Sequence, residues 1–405
     1  MRNVVDRAGA NGVLMAVTYH EGRDIFPHGR SLRMRYLEPG ATFFRPDEAR
    51  WRDAPIRPPV SQLAATIDPL EQLVEAAAKR AATVHAWTVF LHHDRIGDHS
   101  DYVPRNAFGD PVRHDLCASN PGARAYARAL AADVAGRGVG SIVAEAVQFF
   151  PLEHGLHHER YFLYLGPRTR YLMGLCFCDS CRTAARADGV DADALRDWAR
   201  SEIQAAFDGD VDDPQRELSR DELAALAGGD LGRYMQTREG TVVSLVGELR
   251  DIAAAAGIRL TYMEPSGALK GYATGRPTGA PAPTVAWQLG LDLGRLAAAA
   301  DDLEILGYAI DPDRVAGDIA AYREAVGERP RMIVGLRPAP PDSLTDENLR
   351  AKVEMAVRMG VSRVDFYHYG LVRLDALDRI HQALAAANDR GGRSNDQPGH
   401  DGGAR

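Results

Sequence analysis

The sequence predicts an α/β fold, a (β/α)8 TIM barrel that forms a single domain over residues 1–387. The first observation is a set of short apolar runs with the length and composition of strands buried on both faces of a parallel sheet. These runs are residues 12–20, 84–91, 141–150, 259–263, 303–309, 331–336 and 363–367. The second is that segments with helical spacing separate them, which indicates a parallel sheet covered by helices. The third is that no glycine-rich phosphate motif follows any run, which favours a barrel over the alternative, a doubly wound open sheet.

The order of the predicted elements suggests a barrel without its first strand. Residues 2–11 have the pattern of a helix end, so we expect the first strand to be absent or to lie upstream. Residues 287–291 are either an eighth strand or a loop with a helix start. Helical spacing recurs at residues 62–82, 122–136, 312–326 and 345–359, a helical insertion occupies residues 182–257, and the low apolar content of residues 388–405 predicts a disordered tail.

Composition and charge limit the partners of the chain. Of its 405 residues, 45% are hydrophobic and 26% are charged, and the formal net charge of -8 argues against binding to nucleic acid. No run of eighteen apolar residues occurs, so we expect no membrane-spanning segment. The N-terminus lacks the pattern of an export signal, which predicts a cytoplasmic protein. A homo-oligomer is compatible with the sequence, but nothing in it decides the oligomeric state.

The predicted strand ends carry aromatic rings, carboxyl groups and imidazoles. Reactive groups in such barrels lie at the C-terminal ends of the strands. Rings that stack on sugar faces and polar groups that pair with hydroxyls are what a carbohydrate site needs, and glycosidic cleavage needs two carboxyl groups. Glu145 is the predicted general acid/base, with Glu264 as the second carboxyl and Asp365 as its competitor. The predicted substrate-binding residues are His20, Trp87, His92, Gln148, His154, Tyr308, Arg337 and His368.

Several of these residues also have a purely structural interpretation. Trp87 lies inside an apolar run and fits a core residue, Glu264 precedes a proline and fits a turn, and Asp365 lies in the middle of a strand. Glu145 could likewise be a barrel-interior carboxylate paired with a neighbouring arginine, but a functional role is favoured, because an unpaired buried charge is costly and such residues concentrate at functional sites.

The four cysteines suggest a metal site. Cys176, Cys178 and Cys181 lie within six residues and can converge on one ion, and Cys117 from a neighbouring loop can complete a tetrahedral zinc site. Such a zinc ion would be structural, because four thiolates leave no open coordination position. The alternative is that Cys117 is a lone buried thiol beside a redox or reduced cluster.

The segment Cys117-Ala-Ser-Asn-Pro121-x2-Arg124-x-Tyr126 is followed by a helix, by a buried strand with a carboxylate, and then by Cys176-Phe-Cys178-x2-Cys181-Arg182. Over about residues 116–186, this pattern resembles that of the glycoside hydrolase family 42 β-galactosidases. The resemblance implies a (β/α)8 enzyme with a four-cysteine zinc site and an acid/base Glu on the strand between the two segments. Asn120 interrupts the Ser-Pro pair of the family, and Gln148-Phe149 stands where the family has Asn-Glu. The nucleophile that the family carries on the seventh strand has no counterpart in residues 331–336.

The sequence therefore predicts a glycoside hydrolase or a related carbohydrate-active enzyme with a glycoside as its small-molecule partner. The missing Asn-Glu and the missing seventh-strand Glu favour an alternative, a non-catalytic barrel that binds a sugar or a protein. A third hypothesis is a metal-dependent hydrolase or lyase. Its catalytic metal would be held by the His-rich loop of Glu153, His154, His157, His158 and Glu159.

Overall fold

A curled, mostly parallel sheet forms the centre of the molecule. The structure is a computed structural model, and it describes residues 1–29, 33–93, 100–152, 160–210, 212–213 and 216–394. The parallel strands are β1 (Gly12–Tyr19), β5 (Thr83–Val89), β6 (Ser141–Glu145), β7 (Arg259–Glu264), β8 (Asp302–Leu306), β9 (Arg331–Leu336) and β10 (Arg363–Phe366). The sheet order is β10-β9-β8-β7-β6-β5-β1, followed by the short antiparallel β4 (Ala41–Thr42). A separate hairpin pairs β2 (Gly22–Ile25) with β3 (Met34–Leu37).

Each of the seven apolar runs contains a parallel strand, although the strands in runs 141–150 and 303–309 already end at Glu145 and Leu306. Residues 287–291 are not a strand. They belong to a 3-10 helical segment, Ala282–Leu289, and the linker that follows it. Trp287 and Leu289 are buried there, and the Trp287 indole donates to the Thr284 carbonyl at 3.1 Å. A buried 3-10 segment is as apolar as a buried strand, so the composition of five residues could not separate the two.

Helices cover the outside of the sheet. Before β6 these are α1 (Gln62–Thr66), α2 (Pro69–Ala78) and α3 (Pro121–Ala135). Between β6 and β7 lie α4 (Pro167–Met173), α5 (Asp179–Ala187), α6 (Ala192–Phe207), α7 (Arg220–Ala224) and α8 (Asp230–Ala255). The later strands alternate with α9 (Leu293–Ala299), α10 (Pro312–Val326), α11 (Asp346–Arg358) and α12 (Asp375–Ser394). The last of these continues through residues 388–394 of the segment for which the sequence predicts disorder, while residues 395–405 lie outside the described residues.

Local capping explains where several of these helices start. Asn120 accepts hydrogen bonds from the backbone N–H groups of Gly122 and Ala123, at 2.8 and 3.3 Å, and Pro121 is the first residue of α3. Asp311 precedes Pro312 in the same way at the start of α10. In both pairs a side chain caps the helix and a proline follows it. Proline suits this position because an N–H group in the first turn has no partner within the helix, and proline has no N–H. The Asn120-Pro121 pair therefore has a structural reason in this chain.

The sheet does not close between its first and last parallel strands. No backbone pairing between β1 and β10 occurs in the part of the chain that the structure describes. Residues 12–16 of β1 and all of β10 are only partly buried, whereas β9 is buried from its second residue onward. The architecture is a (β/α)8-type barrel that lacks one strand, as the sequence predicts.

The register brings the strand ends together at one edge of the barrel. Val89 of β5 lies beside Glu145 of β6, and Met263 of β7 lies beside Glu304 of β8. Asp365 of β10 lies beside Gly335 of β9. No helix among the described residues combines the length and apolar character needed to cross a bilayer.

Candidate active site

A cavity of about 880 Å³ extends from the interior of the barrel into the gap between β1 and β10. Its volume lies in the range of small-molecule sites. The side chains that line its inner part are Tyr19, Trp87, Glu145, Met263, Glu304, Leu306, Tyr308, Asp365, Tyr367 and His368. Acidic groups and aromatic rings thus face one another across a single space.

Glu145 ends strand β6 and faces this cavity. The indole Nε1 of Trp87 on the neighbouring strand donates a hydrogen bond to Glu145 Oε2. Burial raises the pKa of Glu145, an effect that His20, the bond from Trp87 and His92 only partly offset. The next residue, Ala146, has a φ of +60°, a backbone conformation that costs energy and concentrates at functional sites.

Two further carboxyl groups line the same cavity. Asp365 on β10 was predicted, and its Oδ2 accepts from Arg363 Nη2 at 2.9 Å. Glu304 on β8 was not predicted, and its side chain lies 4.0 Å from the same Arg363 nitrogen. Burial raises the pKa of Glu304, the charges of Asp365 and Glu145 raise it further, and Arg363 opposes them. The sequence signal for Glu304 was a carboxylate within the apolar run 303–309. The alternation of side chains along a strand does not show which of its two faces is the barrel interior.

Glu264 does not join these groups. Met263 lines the cavity, and the side chain of the next residue in a strand points to the opposite face. Glu264 is fully buried and accepts hydrogen bonds from the hydroxyl and backbone N–H of Ser266 and from the hydroxyl of Tyr322 on α10. Burial raises its pKa to about 7 against these bonds. Glu264, which the sequence predicts as the second catalytic carboxyl group, therefore lies on the outer face of the sheet, in contact with the helical layer.

Aromatic rings form a continuous wall of the cavity. The rings of Tyr19 and Trp87 meet edge to face with centroids 5.2 Å apart, and Trp87 meets Tyr367 at 5.6 Å. Tyr308 lies 6.1 Å from Tyr367. Trp87 is buried and also lines the cavity, so the core and the site interpretations of this residue both apply. Such a wall suits the apolar face of a sugar ring.

Histidines surround the carboxyl end of β5. His92 Nδ1 lies 3.0 Å from Asp115 Oδ1, and both side chains are buried. The ring of His20 packs against that of His92 with centroids 5.1 Å apart. Asp115 was missed because it lies in a loop whose pairing with His92, an isolated antiparallel bridge, is long-range. His368 does line the cavity, and burial lowers its pKa, which favours its neutral form.

Five of the predicted substrate-binding positions fall outside the cavity wall or outside the described residues, namely His20, His92, Arg337, Gln148 and His154. Arg337 pairs with Asp342 through its Nε at 2.6 Å, donates to the Tyr272 carbonyl at 2.6 Å and stacks over Tyr308 at 4.4 Å. Gln148 is buried and does not line the cavity. His154 lies outside the described residues, as does the rest of the His-rich loop over residues 153–159.

The four cysteines come together in one buried cluster. The Sγ atom of Cys117 lies 3.4 Å from Cys181, 3.5 Å from Cys178 and 3.9 Å from Cys176. All four sulfur atoms lie within 4.8 Å of one another, and none is in a disulfide. Four thiolates around a tetrahedral zinc, with Zn–S bonds of about 2.3 Å, are separated by about 3.8 Å. The donor set and its geometry thus fit a metal ion, and the cluster is a candidate metal site.

The cluster is connected to the end of β5 through the backbone. Leu116 donates to the Leu91 carbonyl at 2.7 Å, and Cys117 donates to the Tyr102 carbonyl at 2.9 Å. The segment between Asp115 and Cys117 therefore joins the buried His92–Asp115 pair to the sulfur cluster.

Comparisons with known proteins agree on the fold alone. No family model and no curated protein matches the chain. Among solved structures it is similar to the β-galactosidase from the psychrophilic Marinomonas ef1, with 13% identity and a TM-score of 0.53 over 96% of this chain and 57% of that one. A chitinase from Chromobacterium violaceum ATCC 12472 (10% identity, TM-score 0.42, 95% of this chain and 94% of that one) is less similar. So is an α-amylase from Malbranchea cinnamomea (10% identity, TM-score 0.39, 97% and 69%). The chain spans little more than half the length of the β-galactosidase, and at this identity the likeness supports a (β/α)8-type fold.

Proposed function

We propose that this protein is a carbohydrate-active enzyme of the glycoside-hydrolase type, with Glu145 as the general acid/base. The observation that carries the proposal is the position of the Glu145 carboxyl group. It lies at the C-terminal end of a barrel strand, hydrogen-bonded to Trp87, inside a cavity with an aromatic wall and further carboxyl groups. The likeness to a β-galactosidase structure supports the fold on which such a site is built.

The environment of Glu145 suits an acid that protonates a leaving oxygen. A general acid must hold its proton near the working pH, and burial raises the pKa of Glu145 in that direction. The hydrogen bond from Trp87 holds the carboxyl group in one orientation while Tyr19 and Tyr367 offer ring surface to the sugar. The substrate class that fits these groups is a glycoside.

Asp365 is the proposed second carboxyl group. It lines the same cavity. Burial raises the pKa of Asp365, and the Arg363 guanidinium at 2.9 Å opposes this shift toward the ionised form that a nucleophile or a base needs. Glu304 lines the same cavity, and burial raises its pKa, which favours its protonated form. A separation of about 5–5.5 Å between the two reacting carboxyl groups predicts retention of the anomeric configuration, and one of about 6.5–9.5 Å predicts inversion. Proton NMR distinguishes the two, because it identifies the anomer that is formed first.

The cysteine cluster is proposed to hold a structural zinc ion. Four sulfur ligands at tetrahedral spacing match such a site and leave no position for water or substrate. The ion would brace the segment that carries Asp115 and Cys117 against the end of β5. Free, buried thiols also fit the cytoplasmic location that the sequence predicts.

One observation favours a second candidate, a barrel that binds a sugar without cleaving it. Strand β9 occupies the place where the resemblance implies a nucleophile, and it carries no carboxylate. A binding protein would still use the aromatic wall, and its ligand would be unchanged after incubation.

The decisive experiment is a screen of aryl glycosides and oligosaccharides against the wild-type protein and two Glu→Gln variants. Glu145→Gln is expected to lower turnover by about 10²- to 10⁴-fold while circular dichroism shows a folded protein. Glu264→Gln is the matched control, because it neutralises a buried carboxyl outside the cavity and should leave turnover within a few-fold. Full activity of Glu145→Gln would remove the assignment. Binding of a sugar by the wild-type protein without turnover would support the second candidate.

A further inference from the structure

The two strands beside the gap in the sheet each leave one backbone edge unpaired by another parallel strand. Within the part of the chain that the structure describes, residues 12–16 of β1 pair with β5 on one side only, and β10 pairs with β9 on one side only. Both strands run in the same direction as the rest of the parallel sheet. Their free edges therefore present N–H and C=O groups with the spacing that an added parallel strand requires.

The interior cavity continues into this gap. Its lining includes residues 12–16 of β1 and residues 363–366 of β10, together with apolar side chains of the helical layer. Those side chains include Val4 of the N-terminal helical turn and Leu377, Ile380 and Leu384 of α12. A segment lying in the gap would thus meet an apolar surface on its outer face and the barrel interior on its inner face.

The inner face of the gap is acidic. Glu304 is only 3% exposed, and its Oε2 makes no hydrogen bond to any residue that the structure describes. Its cationic neighbour among the described residues, Arg363, lies 4.0 Å away and is closer to Asp365. A buried carboxylate oxygen without a donor costs free energy, so a donor supplied from the gap would be favourable.

We propose that an extended peptide strand binds in this gap and completes the barrel as its eighth strand. It lies parallel to β1 and β10, places apolar side chains against α12, and directs an arginine or lysine at Glu304 and Asp365. This mode is strand addition, in which main-chain hydrogen bonds give affinity and alternate side chains give specificity. The occupant is a separate polypeptide segment, and charge complementarity to the two carboxyl groups distinguishes it from other apolar strands.

The test uses the full chain and a synthetic peptide, acetyl-Lys-Val-Ser-Val-Arg-Val-Ser-Val-Lys-amide, in which valines alternate with polar residues around one central arginine. The matched control peptide has glutamate in place of that arginine. Amide hydrogen exchange is measured by mass spectrometry on fragments from β1, β10 and, as an internal reference, β7 and β8. The arginine peptide is expected to slow exchange in β1 and β10 without changing β7 or β8.

Calorimetric titration of Glu304→Gln with the same peptides completes the test. The variant is expected to bind the arginine peptide about tenfold or more weakly than the wild type does, because a charge-assisted hydrogen bond is lost. Three results would overturn the proposal. These are no binding of the arginine peptide at millimolar concentration, equal protection by the glutamate peptide, and β1 and β10 amides that exchange as slowly as those of β7 without any peptide. In the third case, protection that grows with protein concentration would identify a second copy of the chain as the occupant. Because neither readout is turnover, the outcome is independent of the proposed catalysis.

Discussion

Glu264 makes the stability of this protein depend on pH in a way that one substitution can isolate. Its carboxyl group is fully buried between Ser266 and Tyr322, and burial raises its pKa from 4.5 to about 7. Because the folded state holds the proton more tightly than the unfolded chain does, the favourable contribution is complete below about pH 4.5. It is lost as the pH rises through about 7. A difference of about 2.5 between the two pKa values corresponds to about 3 kcal/mol, of which about 2.5 kcal/mol falls between pH 5 and pH 8.

Glu264→Gln removes this titration and keeps the shape of the side chain. The amide cannot reproduce all the hydrogen bonds of the carboxyl group, so we expect a constant cost of about 1 kcal/mol from pH 5 to pH 8. Relative to the wild type, the variant should therefore be less stable at pH 5 and more stable at pH 8. The difference in free energy of unfolding between the two proteins should change by about 2.5 kcal/mol over this range.

The assay is urea denaturation followed by tryptophan fluorescence at pH 5, 6, 7 and 8 on both proteins. Titrations elsewhere in the chain are common to both and cancel in the difference. A difference that stays constant across this range would refute the reasoning, because it would mean that Glu264 has the same pKa in the folded and unfolded chains. A difference that changes in the opposite direction would show that the bonds from Ser266 and Tyr322 outweigh burial.

Three other substitutions test the remaining parts of the structure. Glu145→Gln should reduce glycoside turnover by about 10²- to 10⁴-fold and leave the thermal midpoint nearly unchanged, and unaltered turnover would exclude it as the acid. Cys117→Ser should lower bound zinc, measured by mass spectrometry of metals, from one ion per chain to a small fraction and lower the thermal midpoint. Undiminished zinc would contradict the cluster as its site. Arg337→Ala should destabilise the fold by about 3–5 kcal/mol in urea denaturation, because it leaves the buried Asp342 carboxylate without its partner. Exposed Arg373→Ala is its control, with an expected change below about 1 kcal/mol, and equal losses would show that the Arg337 pair is not special.

Patterns that depend on neighbours in the chain were readable without the structure. The strand at residues 331–336 is bounded as the sequence predicts, and the run beginning at Ser141 does contain a strand that ends in Glu145. Both are apolar segments of strand length between helical segments, and the number and order of such segments largely specify a parallel α/β fold. The spacing of Cys176, Cys178 and Cys181 likewise confines three sulfur atoms to one turn, so their convergence was predictable.

Relations that depend on which face of a strand points inward required the tertiary structure. Glu264 and Glu304 are both acids in apolar strands, but Glu304 lines the cavity while Glu264 contacts Tyr322 on α10. Successive side chains of a strand point to opposite faces of the sheet, so a shift of one residue would exchange these two environments. The residue types alone do not reveal which side chains point inward. The contact between Asp115 and His92 also required the tertiary structure, because the loop that carries Asp115 pairs with the residues after β5 over a long sequence separation.

The sequence by itself thus determined the class of fold, the strand that carries Glu145 and the composition of the sulfur cluster, because each follows from local spacing and residue chemistry. The tertiary structure alone decided which carboxyl groups share a cavity, how the aromatic rings form its wall and where the sheet stays open. Those features arise from side chains brought together by curling the sheet, and the direction in which a strand presents its side chains is set by packing against the helices.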